Sequence, residues 1–106
     1  MSDDLSSLLA DLRAGLQHLY GQRLRGLYLF GSYARNAADA ESDVDILVVL
    51  DRCEAYGAEV DRTGELFSTI SLRYGVTVSR VFAAELDWLQ ANSPFLNNIR
   101  PEAIPA

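Results

Sequence analysis

At 106 residues, nearly half of them apolar, the chain is read as one domain with a real core and no room for a second. Its net charge is −6 and every basic residue is arginine, which excludes a Walker-type phosphate lysine, a Schiff-base lysine and a lysine nucleophile. The acidic balance also argues against direct nucleic-acid binding, and a single cysteine (Cys53) with a single histidine (His18) excludes an internal disulfide or a zinc site built from them.

In chain order, Met1-Ser2-Asp3-Asp4 is acidic where a signal peptide would be basic. Asp3 or Asp4 caps a predicted helix whose Leu5, Leu8, Leu9, Leu12, Leu16 and Leu19 fall at helical spacing, ending near Gly21. Leu27–Phe30 reads as a buried strand, stopped by Gly31-Ser32. Tyr33–Ala38 follows as a short helical segment, and 39–42 as a polar connection. Asp43–Leu50 is the clearest strand, apolar on both faces in its later residues and therefore central in a sheet covered on both sides. Glu54–Tyr74 is predicted as a long helix packing through Val60, Leu66, Phe67, Ile70 and Leu72, with Gly75 as its C-terminal cap. Val76–Phe82 is a third strand and Ala84–Ala91 a last helix anchored by Trp88, leaving residues 92–106 as a C-terminal tail. The order gives an α/β (α+β) domain, a small mixed sheet flanked by helices. No apolar run approaches the ~20 residues of a membrane span, so a cytoplasmic protein without a membrane partner is expected.

The chemistry concentrates in Gly31-Ser32-Tyr33-Ala34-Arg35-Asn36 and Ser42-Asp43-Val44-Asp45. Gly31 and Ser32 stand at a strand-to-helix turn, where glycine lets backbone approach a phosphate and the serine hydroxyl adds a donor. Arg35, one turn on, offers a charged fork to the same anion. Asp43 and Asp45, two apart on a strand, project from one face with Cα atoms about 6.5–7 Å apart. Two carboxylates that close repel unless a cation lies between them, and magnesium combines one or two carboxylates with substrate phosphates. Each half has an ordinary reading, a capped turn and a solvated strand entrance. The two together in fixed spacing arise by chance on the order of once in a thousand chains of this length.

Gly31-Ser32-x-Ala34-Arg35 followed by Ser42-Asp43-Val44-Asp45 and an apolar strand resembles the signature of the DNA polymerase β-type nucleotidyltransferase superfamily. Within it the chain is similar to the small minimal nucleotidyltransferases (MNT), over nearly its full length in element order. Ser93–Arg100 also resembles the end of some MNT proteins. The resemblance implies a polymerase β-like fold in which Gly31, Ser32 and Arg35 bind the nucleotide while Asp43 and Asp45 are the catalytic, metal-binding pair for two Mg²⁺ ions. It implies transfer of a nucleotidyl group, AMP from ATP, to a protein or other hydroxyl acceptor with release of pyrophosphate. It also implies a partner, since MNT proteins are often paired as antitoxins with a helical HEPN ribonuclease.

The chain departs from the pattern at one place. Active members carry a third carboxylate on the next sheet strand, whereas Val76–Phe82 contains no acid and Thr77 or Ser79 stands in its place. Glu85 and Asp87 follow and read as helix-surface acids. A site that binds Mg–nucleotide but turns over slowly, or only when a partner adds a group, is expected, as is the alternative of a binding module that neutralises a HEPN ribonuclease by covering it. Tyr28 and Phe30 read as strand packing, and Tyr33 as packing rather than nucleotide contact.

Overall fold

The computed structural model describes residues 3–106; Met1 and Ser2 of the acidic opening segment lie outside them. Asp3–Tyr20 form the first helix, α1, with acids in its first turn and Leu5, Leu8, Leu9, Leu12 and Leu16 buried along one stripe. Leu19 does not belong to that stripe: it is 40 % exposed, and Tyr20 turns inward in its place. A single 3₁₀ turn at Gly21–Arg23 leads into β1 (Leu24–Phe30). The chain reverses through a short helix, α2 (Gly31–Ala34), and enters β2 (Val44–Leu50). Helix α3 (Tyr56–Tyr74) carries it to β3 (Val78–Ala84), and α4 (Glu85–Gln90) follows directly.

Residues 92–106 are more structured than the expected tail. They hold a second short helix, α5 (Pro94–Ile99), capped by the Ser93 hydroxyl, which accepts the Leu96 N–H at 3.0 Å. They also supply a strand of two residues, β4 (Ile104–Pro105), paired antiparallel with β1. Such a strand is invisible to periodicity because it contains proline and spans a single dipeptide.

The sheet is mixed, in the order β3-β2-β1-β4: β1 pairs antiparallel with β2, and β2 pairs parallel with β3 across the α3 crossover. Pairing overrules local pattern at the strand ends. β1 starts at Leu24, earlier than its apolar run, because the ladder continues past a bulge to Leu24↔Leu50. β3 runs from Val78 to Ala84 rather than from Val76, matching the extent of β2 from Val44 to Leu50.

Alternation along the strands divides the core into two layers. Leu27, Leu29, Val44, Ile46, Val48, Val78 and Phe82 face α1 and α3. Phe30, Leu47, Val49 and Ala83 face Trp88 of α4 and Leu96 and Ile99 of α5, with the Tyr28 ring 4.9 Å from the indole. Trp88, Tyr28 and Phe30 are thus packing residues, as expected.

Helix α3 corrects the predicted contact set. Phe67 and Ile70 are buried, but Leu72 is 85 % exposed, and Glu59 and Thr63 are buried instead. The Thr63 hydroxyl donates to the Glu59 carbonyl at 2.9 Å. The Glu59 carboxylate accepts from Tyr20 Oη at 2.8 Å, Arg62 Nε at 3.0 Å and Arg23 Nη2 at 3.3 Å. A buried charge is tolerable when its lone pairs are filled by charged donors in this way. Gly75 ends the helix in the left-handed conformation, φ 66°. Among the described residues, no helix is long and apolar enough to cross a membrane.

Candidate active site

The antiparallel register of β1 and β2 pairs Phe30 with Asp45, so the end of one strand lies beside the start of the other. At the next residue the backbone of Gly31 takes φ 74°, a left-handed conformation open to glycine at little cost. Its Cα faces the Asp45 side chain so closely that a Cβ built there would overlap the carboxylate Oδ2. The Gly-Ser turn and Asp45, separate in sequence, therefore lie side by side, with Asp43 two residues before Asp45 at the entrance of β2. Ser32 sits half-buried at this turn, and Arg35 stands exposed just past the end of α2.

Asp45 lies on the α4/α5 face of the sheet and is half-buried, whereas Asp43, just before β2, is exposed. Burial first, and then the nearby charge of Asp43, push the Asp45 carboxyl above its ordinary pKa; the Arg35 guanidinium opposes them, and Glu102 adds to the rise. A half-buried carboxylate near a second one, offset only in part by the Arg35 guanidinium, favours a cation beside it. The donor set, two carboxylates beside a backbone that leaves room only for glycine, fits a hard divalent cation shared with phosphate oxygens. Among the described residues no group of three or more His, Cys, Asp or Glu side chains is placed to enclose a metal alone, so phosphate or water oxygens would have to complete the shell.

The parallel register pairs Asp45 with Ser79, so the row Phe30, Asp45, Ser79 crosses the sheet on one face. Ser79, not Thr77, therefore stands beside Asp45 at the position of the missing acid. Glu85 is no substitute, since it faces Arg25 at 3.7 Å, and Asp87 is exposed and accepts from Asn92 Nδ2 at 3.1 Å. Tyr33 packs against the α1/α3 layer of the core.

One residue of this site escaped the sequence reading. Glu102, between α5 and β4, accepts the Gly31 N–H at 2.5 Å and the Arg35 Nη1 at 3.1 and 3.2 Å. Its signal was present but faint: it is the sole acid in residues 91–106.

Comparison with known proteins decides the family. Residues 9–91, most of the chain and the whole of Gly31–Asp45, match the profile of the nucleotidyltransferase domain. The chain belongs to the nucleotidyltransferase domain family. Two relatives from Methanocaldococcus jannaschii are each named as candidate protein adenylyltransferases. One is 36 % identical over 70 residues, covering 66 % of this chain and 64 % of the relative. The other is 27 % identical over 78 residues, covering 74 % and 78 %. The four-stranded mixed sheet flanked by helices agrees with a nucleotidyltransferase fold. The family match ends before α5, so Glu102 and β4 lie beyond it.

Proposed function

We propose that the chain is an adenylyltransferase that binds ATP with Mg²⁺ and passes AMP to a hydroxyl group carried by a protein. The observation that carries this reading is the packing of Gly31 against the Asp45 carboxylate, which brings the Gly-Ser turn beside one acid of the pair. The Gly31 N–H, the Ser32 hydroxyl and the Arg35 guanidinium are the groups to hold phosphate oxygens. Asp43 and Asp45 are those to hold Mg²⁺, which when bound neutralises triphosphate charge. The acceptor oxygen attacks the α-phosphorus, a P–O bond forms as the bond to the β-phosphate oxygen breaks, and pyrophosphate leaves. The hydroxyl proton passes to water, because the Ser79 hydroxyl beside Asp45 is a poor base. The names of the two relatives support AMP as the group and a protein as the acceptor.

The pairing of Ser79 with Asp45 favours a second reading: a slow or inactive domain that neutralises a HEPN ribonuclease by covering it, its charge of −6 suiting a basic partner surface. Calorimetric titration of ATP with Mg²⁺ into the wild type and an Asp43→Ala/Asp45→Ala variant tests the site. Binding that the variant loses is the expected result; no binding at millimolar ATP would sink the transferase reading. Should the double variant still neutralise the partner, covering rather than transfer is the function.

A further inference from the structure

The side chain of Glu102 already satisfies the groups assigned above to the nucleotide. Its carboxylate takes the Gly31 N–H at 2.5 Å and lies 3.1 Å from Arg35 Nη1, and it is only 23 % exposed. Charge-assisted bonds from a backbone N–H and a guanidinium are the contacts a phosphate oxygen would make there. A carboxylate and a phosphate cannot use the same N–H together.

Anchors on both sides deliver Glu102 to this place. Upstream, Leu96 and Ile99 are buried, and the Arg100 guanidinium donates to the carbonyls of Trp88 and Leu89 at 2.5 and 2.7 Å while lying over the Trp88 ring. Downstream, β4 pairs with β1, and the Ala106 N–H donates to the Leu27 carbonyl at 2.8 Å. Glu102 is therefore set by the backbone between two fixed points rather than drifting in as a surface acid.

We propose that Glu102 is an internal competitor for the phosphate-binding groups: it holds the Gly31 N–H and Arg35 in the free protein and is exchanged for a phosphate group when a polyphosphate ligand binds. The proposal rests on the nucleotide-site reading. It has a consequence for ligand class. Glu102 adds a negative charge beside Asp45, since it holds the N–H of the residue packed against that carboxylate. A polyphosphate without its cation is therefore excluded more strongly than one carrying Mg²⁺.

The test uses the full chain and its Glu102→Gln and Glu102→Ala variants, titrated with inorganic tripolyphosphate and with Mg–ATP at fixed ionic strength. Glu102→Ala frees both donors and should bind tripolyphosphate about tenfold tighter than wild type, a gain of about 1.4 kcal/mol. Glu102→Gln keeps an oxygen for the Gly31 N–H but drops the charge, and should fall between. In wild type, added ligand should move the Gly31 amide resonance to the position it takes in ligand-bound Glu102→Ala. Equal or weaker binding by Glu102→Ala, with wild type binding, would overturn the exchange and make Glu102 a brace of the turn, leaving the nucleotide site standing. Failure of all three forms to bind either ligand would overturn the nucleotide reading and the exchange with it.

Discussion

Replacing Gly31 by alanine would impose two costs at once. The backbone at φ 74° is one that a side chain adopts only with strain, and the new methyl group would meet the Asp45 carboxylate. We expect Gly31→Ala to lose about 1–3 kcal/mol of stability by thermal or urea unfolding and to lose Mg–ATP binding, because Asp45 must move away. Glu59 carries the other residue-scale expectation. Burial opposes its ionisation, but hydrogen bonds from Tyr20, Arg62 and Arg23 outweigh burial and hold its pKa below the ordinary 4.5. A carboxyl lowered in the folded state stabilises the fold above the unfolded value, and that contribution is lost as pH falls through the folded one. Glu59→Gln should therefore cost about 1.5–3 kcal/mol at pH 7, with the difference shrinking progressively below pH 4.5. Urea unfolding of both proteins at the two ends of that range would check it; a constant difference would show that the charge is not responsible.

Between elements, register does what residue identity alone does not. The parallel ladder of β2 and β3 sets Ser79 beside Asp45, and the antiparallel ladder of β1 and β2 sets Phe30 on its other side. An acid placed at Ser79 would share a face with Asp45 and stand beside it, while the neighbouring residues Val78 and Arg80 point to the other layer. We expect Ser79→Asp to raise the rate of pyrophosphate release from ATP and acceptor by about 10²-fold, the usual worth of a placed general base. It should also lower the stability of the protein in the absence of divalent cation, since a third carboxylate joins an already crowded pair. A Ser79→Asp protein with unchanged turnover would show that the missing acid is not what limits the reaction.

Across the whole molecule, a single sheet with helices on both faces places the candidate site at one end of the strands, where the turn after β1 meets the entrance of β2. The α1/α3 layer carries most of the leucine core, and the α4/α5 layer is thinner and closes over Asp45's face with Trp88, Leu96 and Ile99. The segment that closes this second layer is the same one that brings Glu102 to Gly31. Packing of the layer and the hold of Glu102 on the Gly31 N–H and Arg35 are thus coupled through one stretch of chain, residues 96–106.

The sequence by itself determined the helical stripe of α1, the central strand β2, the cap at Gly75 and the candidate residues Gly31, Ser32, Arg35, Asp43 and Asp45, because periodicity and turn chemistry are local properties. It mistook Leu19 and Leu72 for core positions, since a leucine at nearly the right helical phase looks the same whether or not a neighbouring layer is there to meet it. Only the tertiary structure decided that Ser79 rather than Thr77 faces Asp45, that Glu59 is buried among arginines, and that residues 92–106 form α5 and β4 rather than a tail. Glu102 is the clearest case. Nothing within a few residues of it speaks of phosphate, and its partners Gly31 and Arg35 lie 71 and 67 positions away along the chain. Strand register and the pairing of an edge dipeptide bring them together, and those are decided by the cooperative closure of the sheet rather than by any local run of residues.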